Sequence, residues 1–266
     1  MHSKILSGSS VIKFGIIAII LSICSYVHAG IIDEENIEVL YLFDEGDGDV
    51  AVDSSPNGRD GAIIGAQYTE GVFGTALQYD GVDDNLIITG YAGIGGVDPR
   101  SILFWFKSNE TRQHSWVKWG RNAGGEKHYV RAHPSGEQCF LRIEVNGGQN
   151  YGNTDVCDGE WHHCVLVFPE GSDSVQDFHL YVDGILQEKI GNDRDMNTDG
   201  ATQEINVGAR LTGHHFLFGL MDELAIFSVA IDEEQVKAIM DDGLHATVSV
   251  DPQDKLATSW ANIKKY

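Results

Sequence analysis

The sequence predicts an all-β protein built from two stacked antiparallel sheets, with one short helix near its C-terminal end. Short apolar or alternating runs recur from Val39–Phe43 to Phe216–Phe227, and Gly, Asn and Asp separate them, as expected of strands joined by turns. The chain contains 31 glycines and has few long segments with helical periodicity. Asp183-Gly184, between two apolar pairs, is the strongest hairpin signal, because this dipeptide accepts the positive φ angles of a tight two-residue turn.

The single predicted helix covers Ile231 to Met240. Asp232 is placed to cap it, Glu233 and Glu234 lie in its first turn, and Gly243 follows its last turn. Its apolar positions form one narrow stripe, which predicts a short helix lying on the surface of the sandwich.

The N-terminal segment resembles a secretory signal peptide. A basic start is followed by the apolar run Phe14–Ile23 and by Val27-His28-Ala29, which puts small residues where a signal peptidase cuts. We expect cleavage near Ala29 and a secreted, cell-surface or periplasmic product. Leu21–Cys24 also resembles a lipid-attachment box, but the bulky Ile23 argues against a lipoprotein.

We therefore divide the chain into a signal peptide (1–29), one β domain (30–243) and a C-terminal tail (244–266). No apolar run after position 29 is long enough to span a membrane. The net charge of −22 makes nucleic acid an improbable partner, because phosphate binding needs basic patches. Strong acidity outside the cell suits solubility and divalent cations.

Three cysteines follow the signal segment, and the sequence predicts a disulfide between Cys139 and Cys157. When the chain is folded about Gly148, Val145 lies opposite Tyr151 and Cys139 opposite Cys157, at a distance that suits a disulfide. Cys164 lies in an apolar run and is expected to be a buried free thiol.

Six blocks in the β domain resemble bacterial LamG-like domains of the laminin G and concanavalin A-like type, in that family's order. They are Glu38–Gly48, Val52–Gly61, Gly71–Asp84, Asp158–His163, Leu180–Gly184 and Gly219–Phe227. The resemblance implies a concanavalin A-like jelly roll, a scaffold that carries lectins and glycoside hydrolases alike. Because one scaffold hosts both, function has to be argued from sites.

The resemblance also implies a structural Ca²⁺ ion held by an acid after the first strand, by Asp80-Gly81 and by a carboxylate of the last strand. The matching residues are Asp44 or Glu45, then Asp80 and Gly81, with Asp222 as anchor. Strand alternation places Asp222 on one face with Leu220, Leu224 and Ile226, where a carboxylate needs backbone N–H donors or a cation. The alternative stays open that Asp44 and Asp80 are ordinary turn residues and that Asp222 only caps a loop.

The richest candidate for ligand contact is the segment from Ser115 to Arg131. It combines basic residues with large aromatic ones, the pair of properties that sugar binding favours. The candidate residues are Trp116, Trp119, Arg121, Tyr129 and Arg131. The alternative is that the aromatic side chains fill the core of the sandwich.

Catalysis finds little support in the sequence. It lacks the closely spaced Glu-x-Asp-x-x-Glu run of retaining glycosidases on this scaffold and a Gly-x-Ser-x-Gly nucleophile motif. We therefore expect a recognition or adhesion module that binds a glycan or an extracellular protein, and not an enzyme. Two alternatives remain: a glycan-degrading enzyme, and a structural protein of the envelope or matrix.

Overall fold

The computed structural model describes residues 32–198, 203–210 and 215–248, and they form a sandwich of two antiparallel sheets. The strands are β1 (Ile37–Tyr41), β2 (Val50–Ala51), β3 (Gly61–Ile64), β4 (Gln67–Glu70), β5 (Thr75–Asp80), β6 (Asn85–Thr89), β7 (Arg100–Lys107), β8 (Ser115–Gly120), β9 (Lys127–Ser135), β10 (Gln138–Glu144), β11 (Gln149–Tyr151), β12 (Trp161–Phe168), β13 (His179–Val182), β14 (Ile185–Leu186), β15 (Ile190–Asn192), β16 (Glu204–Val207) and β17 (Phe218–Phe227). Two 3-10 turns (Glu34–Asn36 and Val175–Asp177) and the helices α1 (Glu233–Asp242) and α2 (Leu244–Thr247) complete them. The predicted fold class is confirmed.

The two sheets differ in size and in what covers them. The eight-stranded sheet runs β14-β13-β12-β7-β17-β5-β4, and β1 pairs with β17. The nine-stranded sheet runs β15-β11-β10-β9-β8-β16-β6-β3-β2. The larger apolar core lies between the two sheets, and a second one lies between the eight-stranded sheet and the helices.

The predicted helix and hairpin turn form as expected. Asp232 caps α1 by accepting a hydrogen bond from the Gln235 backbone N–H, and the Gln235 side chain binds back to the Asp232 N–H. Asp183 and Gly184 adopt φ angles of +52° and +73°, and the strands they join, β13 and β14, pair directly. Within the described ranges, no helix is both long and apolar enough to cross a membrane. The predicted signal segment and the tail beyond position 248 lie outside the described residues.

A disulfide joins Cys139 and Cys157, whose Cα atoms are 5.7 Å apart, although the predicted strand register was wrong. The turn is centred on Asn146-Gly147, with φ angles of +54° and +106°, so Tyr151 pairs with Arg142 and not with Val145. After Gly152 the chain leaves the ladder for three residues before Val156 donates to the Cys139 carbonyl. This excursion offsets the shifted turn and returns Cys157 to Cys139.

The predicted alternation along β17 was also wrong. The pairing with β7 slips between Asp222 and Ala225, and Glu223 takes a φ angle of +47°, which marks a β-bulge. Met221, Leu224 and Ile226 therefore point into the core between the sheets. Asp222 lies on the opposite face and does not share a face with Leu224 and Ile226.

Candidate functional site

Two of the predicted ligand-binding residues, Trp116 and Trp119, are core residues. Both indole rings are fully buried between the sheets. Trp116 packs against Phe104 and Phe106, and Trp119 stacks on the His128 ring at 3.6 Å. No glycan can reach these rings in the folded chain, so the expectation that they contact ligand was wrong.

A third predicted residue, Arg121, lies apart from the others at the turn between β8 and β9. Its side chain is exposed and forms an ion pair with Glu126 at 2.5 Å. Tyr129 and Arg131, in contrast, both belong to β9 and point to the outer face of the nine-stranded sheet, away from the core residues Val130 and Ala132.

These two residues belong to a larger group, which we call the outer platform. It consists of seven side chains on β9, β10 and β11 that face away from the core: Tyr129, Arg131, His133, Phe140, Arg142, Glu144 and Tyr151. Strand pairing brings them together, since Arg131, Arg142 and Tyr151 lie side by side across the three strands. Tyr129 is buried, whereas His133, Phe140 and Tyr151 are partly exposed.

Aromatic rings form one part of the outer platform. The Tyr151 and His133 rings stack with centroids 4.0 Å apart and an interplanar angle of 20°. The centroid of the Phe140 ring lies 6.5 Å from that of His133, with an interplanar angle of 23°. Because stacked rings cover one another's faces, the group presents to solvent its ring edges and those ring faces that no neighbour covers, and each of the three residues is only partly exposed.

Charged side chains form the other part. Glu144 accepts hydrogen bonds from Arg131 Nε at 3.0 Å, from Arg142 Nη2 at 2.7 Å and from Lys127 Nζ. Burial opposes ionisation of Glu144, but Lys127 and then the two arginines outweigh it and lower the pKa to about 2. Glu144 is therefore ionised at all physiological pH values, and it holds three cations in place.

Most of the outer platform was missed at the sequence level: His133, Phe140, Arg142, Glu144 and Tyr151 were not among the predicted ligand residues. A signal was present in β10, where Phe140, Arg142 and Glu144 alternate with the buried Cys139, Leu141 and Ile143. That alternation identifies an outward-facing set. It does not show which strands flank β10, and so it could not assemble the platform.

The four predicted calcium ligands do not come together. Asp80 pairs with Phe218 on β17, whereas Asp222 lies four residues further along the same strand, about 13 Å away at the usual rise of a strand. Asp44 lies near Asp222, and its charge adds to the rise in the Asp222 pKa. The predicted site thus divides into an Asp44–Asp222 half and an Asp80–Gly81 half.

In the first half, backbone amides satisfy the buried carboxylate. Asp222 Oδ2 accepts hydrogen bonds from the Val72 and Phe73 N–H groups at 2.8 and 3.0 Å, and Oδ1 accepts one from Glu223. Gly71 and Gly74 flank this loop at positions where a Cβ atom would collide with the Asp222 and Asp44 carboxylates. The Gly71–Gly74 block is therefore explained by a loop that wraps two carboxylates.

Burial dominates the titration of this region. It raises the pKa of Asp222 to about 7 against the opposing effect of the three amides. The neighbouring Glu223 is also buried, accepts from the Leu244 N–H, and has its pKa raised to about 8. Glu223 thereby ties the bulge in β17 to the start of α2.

The second half is a turn rich in aspartate. Carboxylate oxygens of Asp80, Asp83 and Asp84 lie within 4.8 Å of one another. The Gly81 carbonyl, which the prediction assigned to calcium, accepts a hydrogen bond from Arg112 Nη2 at 3.1 Å. Because the predicted ligands are divided between two places, they do not fit a single calcium site, and calcium binding stays a prediction.

The structure resembles several solved domains in its fold. It matches domain 4 of AbnA, a GH43 extracellular arabinanase from Geobacillus stearothermophilus solved in complex with arabinotriose, with a TM-score of 0.58 and 19% identity over 77% of this chain and 98% of that one. It also matches the botulinum neurotoxin serotype G binding domain, with a TM-score of 0.55 and 12% identity over 77% of this chain and 50% of that one. A third match is the botulinum neurotoxin DC binding domain in complex with SialylT, with a TM-score of 0.53 and 11% identity over 78% and 52% of the two chains.

These identities are low enough that the likeness shows the fold alone. The chain spans about half of the length of the two neurotoxin domains. A search of curated protein sequences found no match. The sequence profile of one family, described as the concanavalin A-like lectin/glucanases superfamily, matches residues 80–237. That stretch is more than half of the chain and includes every strand of the outer platform, and the chain therefore belongs to the concanavalin A-like lectin/glucanases superfamily.

Proposed function

We propose that this chain is an exported, non-catalytic carbohydrate-binding module that holds its glycan against the outer platform. The observation that carries the proposal is the half-exposed stack of Tyr151, His133 and Phe140 beside Arg142 and Glu144. The apolar ring surface that the stack leaves exposed offers contact to a sugar, and the charged groups offer hydrogen bonds to its hydroxyls.

The chemistry of the platform favours binding over hydrolysis. A glycosidase of the usual type needs a carboxylic acid that is protonated at working pH, next to a second carboxylate. Glu144, the carboxylate of the outer platform, has its pKa lowered to about 2 and already receives three cationic partners. Such a group cannot donate a proton at neutral pH.

The structural relatives support the glycan as ligand class. One is described in complex with arabinotriose and another in complex with SialylT. The proposal extends carbohydrate binding from those domains to this chain. An extracellular protein ligand is the second candidate, because a related neurotoxin domain is described in complex with synaptotagmin II.

Export belongs to the same proposal. The disulfide between Cys139 and Cys157 is of a kind that persists in oxidising compartments. We expect protein recovered outside the cytoplasm to begin at Gly30, which mass spectrometry of the intact chain would establish. A full-length chain retained in the cytoplasm would contradict this part of the proposal.

Tyr151→Ala tests the platform. Removing the ring should weaken binding to a panel of soluble polysaccharides by about tenfold, equivalent to about 1.4 kcal/mol, in affinity electrophoresis or calorimetry. Tyr68→Ala is the matched control, since Tyr68 is also a partly buried tyrosine but lies on β4 of the other sheet, where it packs against the core. Equal losses in both variants, or binding to none of the polysaccharides, would overturn the proposal.

Turnover is measured on the same polysaccharides. We expect no release of reducing ends and no unsaturated product during prolonged incubation. Product formation that Glu144→Gln abolishes would overturn the non-catalytic assignment and support the glycan-degrading alternative.

A further inference from the structure

A groove lies on the outer face of the eight-stranded sheet, and none of its lining residues belongs to the second core. Its volume is about 440 Å³, within the range of roughly 300 to 1,000 Å³ that ligand sites occupy. It is neither an enclosed cavity nor a flat surface, so a ligand can enter it from solvent. The side chains that matter for binding come from β5, β7, β17 and the loop after β7: Gln78, Asp80, Lys107, Asn109, Phe218 and Leu220.

Strand pairing aligns the floor of this groove. Leu220 of β17 lies between Lys107 of β7 and Gln78 of β5, and Trp161 of β12 lies on the other side of Lys107. The row faces outward, because adjacent residues of the same strands lie in the core: Leu77, Phe106 and Met221. With neighbouring strands about 4.8 Å apart, the row is about 14 Å long. An elongated ligand that lies across the strands can therefore contact all four side chains.

Solvent reaches both the apolar and the polar parts of the groove. Phe218 and Leu220 are partly exposed, as is Lys107, whereas Gln78 and Asn109 are exposed. Within the described ranges, the side chains of Gln78, Lys107 and Asn109 make no hydrogen bond and no ion pair. The half-buried ammonium group of Lys107 and the two amide groups are thus available to a ligand.

The donors and acceptors of the groove suit a neutral sugar. Lys107 can only donate hydrogen bonds, the Asp80 carboxylate accepts them, and the amides of Gln78 and Asn109 do both. Sugar hydroxyl groups also both donate and accept, and the carbon atoms of a sugar ring can pack on Phe218 and Leu220. One cation and one anion together leave the groove without a strong preference for a charged ligand.

We propose that this groove is a second glycan-binding site, which lets one protein chain bridge two neutral polysaccharide chains. This inference rests on the proposed carbohydrate-binding function. The outer platform and the groove lie on the outer faces of opposite sheets, and the sheets of a sandwich are about 10 Å apart. A short sugar that occupies one site therefore cannot reach the other, and two sites on one chain allow multivalent attachment.

The number of sites is measured with sugars too short to reach both faces. Calorimetry is performed with four neutral trisaccharides: arabinotriose, xylotriose, cellotriose and laminaritriose. For the trisaccharide that binds, we expect the unmodified protein to bind two molecules per chain and Tyr151→Ala to retain tight binding of one.

The double variant Gln78→Ala/Lys107→Met tests the groove. It should lose about tenfold in affinity at one of the two sites, because it removes an amide and a cation and leaves the apolar floor in place. The matched control is Gln67→Ala/Lys237→Met. Gln67 is an exposed glutamine paired with Gln78 on the same face but outside the groove, and Lys237 lies on α1. The control should retain both sites, and thermal melting establishes that each variant is folded.

Bridging is measured on a surface coated with the polysaccharide that corresponds to the trisaccharide. Bound protein is incubated with a fluorescent form of the same polysaccharide, and the captured label is measured. We expect Tyr151→Ala and the groove variant each to capture about tenfold less label than the unmodified protein. Bridging that persists in the groove variant would overturn the proposal, because it would then arise from self-association and not from a second site.

The failure of this inference differs from the failure of the proposed function. A single site per chain that Tyr151→Ala weakens and Gln78→Ala/Lys107→Met leaves intact would overturn the groove and retain the outer platform. A single site with the opposite response would overturn the platform and the bridging. Binding to none of the trisaccharides or polysaccharides would remove both proposals.

Discussion

The outer faces of the two sheets differ in composition and in cover. On the eight-stranded sheet, Leu103, Val165 and Phe227 pack under α1, α2 and the first described residues, and this face is a second apolar core. On the nine-stranded sheet, β9 to β11 present stacked aromatic rings and charged side chains that are partly open to solvent. The covered face stabilises the domain, and the open face carries the outer platform.

The difference shows how one sandwich divides its tasks. A covered apolar face contributes roughly 25 cal/mol for each square ångström removed from water. The polar face does not contribute in this way, and its cations are held at a cost. A surface that is organised without stabilising the fold by burial is a good candidate for function.

The largest expected effect concerns the covered face. Ile239 of α1 is 1% exposed and packs on the second core. Ile239→Ala should lower the free energy of unfolding by about 3 kcal/mol, because it removes buried methylene groups and leaves a cavity. Urea denaturation measures this, and glycan affinity of the folded protein should not change. A matching loss of affinity would mean that the two faces are coupled.

A smaller stability loss is expected on the open face. Glu144→Gln keeps an oxygen acceptor but leaves Lys127, Arg131 and Arg142 without their shared negative charge. We expect a loss of about 2 kcal/mol, less than for a fully enclosed ion pair because Glu144 is partly exposed. Binding should change as well, in contrast to Ile239→Ala. A variant with unchanged affinity would separate the charge cluster from ligand binding.

The third effect is a pH dependence at the edge of the covered face. Burial raises the pKa of Glu223 from 4.5 to about 8, and the charges of Asp222 and Asp44 add to this. Because the folded chain favours the neutral acid, its contribution to stability is present below pH 4.5 and is lost as the pH rises through 8. Glu223→Gln cannot ionise and should show a smaller fall in stability between pH 5 and pH 8 in urea denaturation.

The unmodified protein and Glu223→Gln should be compared by the slope of their stability against pH and not by their absolute stability, because His162 also titrates in this range. Burial alone would lower its pKa, but Asp183 and Asp158 outweigh burial and raise it to about 9. Its contribution to stability is present below pH 6.5 and is lost as the pH rises through 9. Both proteins share that loss. An identical slope in Glu223→Gln would contradict the role assigned to Glu223.

The smallest effect concerns calcium. The sequence makes Asp44 and Asp80 ligands of one ion, whereas the structure separates them. We therefore expect any calcium-dependent rise in melting temperature of chelator-treated protein to be abolished by Asp83→Asn and kept in Asp44→Asn. At a tenfold excess over the dissociation constant such a rise corresponds to about 1.4 kcal/mol. Loss of the rise in Asp44→Asn would restore the single site.

Local chemistry explains which predictions succeeded. The α1 cap at Asp232 and the Asp183-Gly184 turn depend on neighbouring residues alone, and both form as predicted. Predictions that depended on counting along strands were less reliable. The Asn146-Gly147 turn shifted the register of β10 and β11, and the bulge at Glu223 reversed the faces of Leu224 and Ile226 relative to Asp222.

The ligand site shows the same limit. A tryptophan between basic residues suggests a sugar platform, yet Trp116 and Trp119 have core partners that come from distant strands and loops. Tyr151 became a platform residue because the turn at Asn146-Gly147 brings it beside Arg142. Neither outcome can be predicted from the residues that neighbour these side chains in the sequence.

The amino-acid sequence by itself determined the all-β class, the acidic surface, the capped helix and the family, because these depend on composition, local turns and ordered blocks. Only the tertiary structure decided which aromatic rings are buried, which cations meet Glu144, and that Asp44 and Asp80 lie apart. Those facts depend on strand register and on which sheet face is covered. A shift of one residue in the register of a strand exchanges its two faces. Side chains can therefore be assigned to the open or the covered surface only when the complete fold is known.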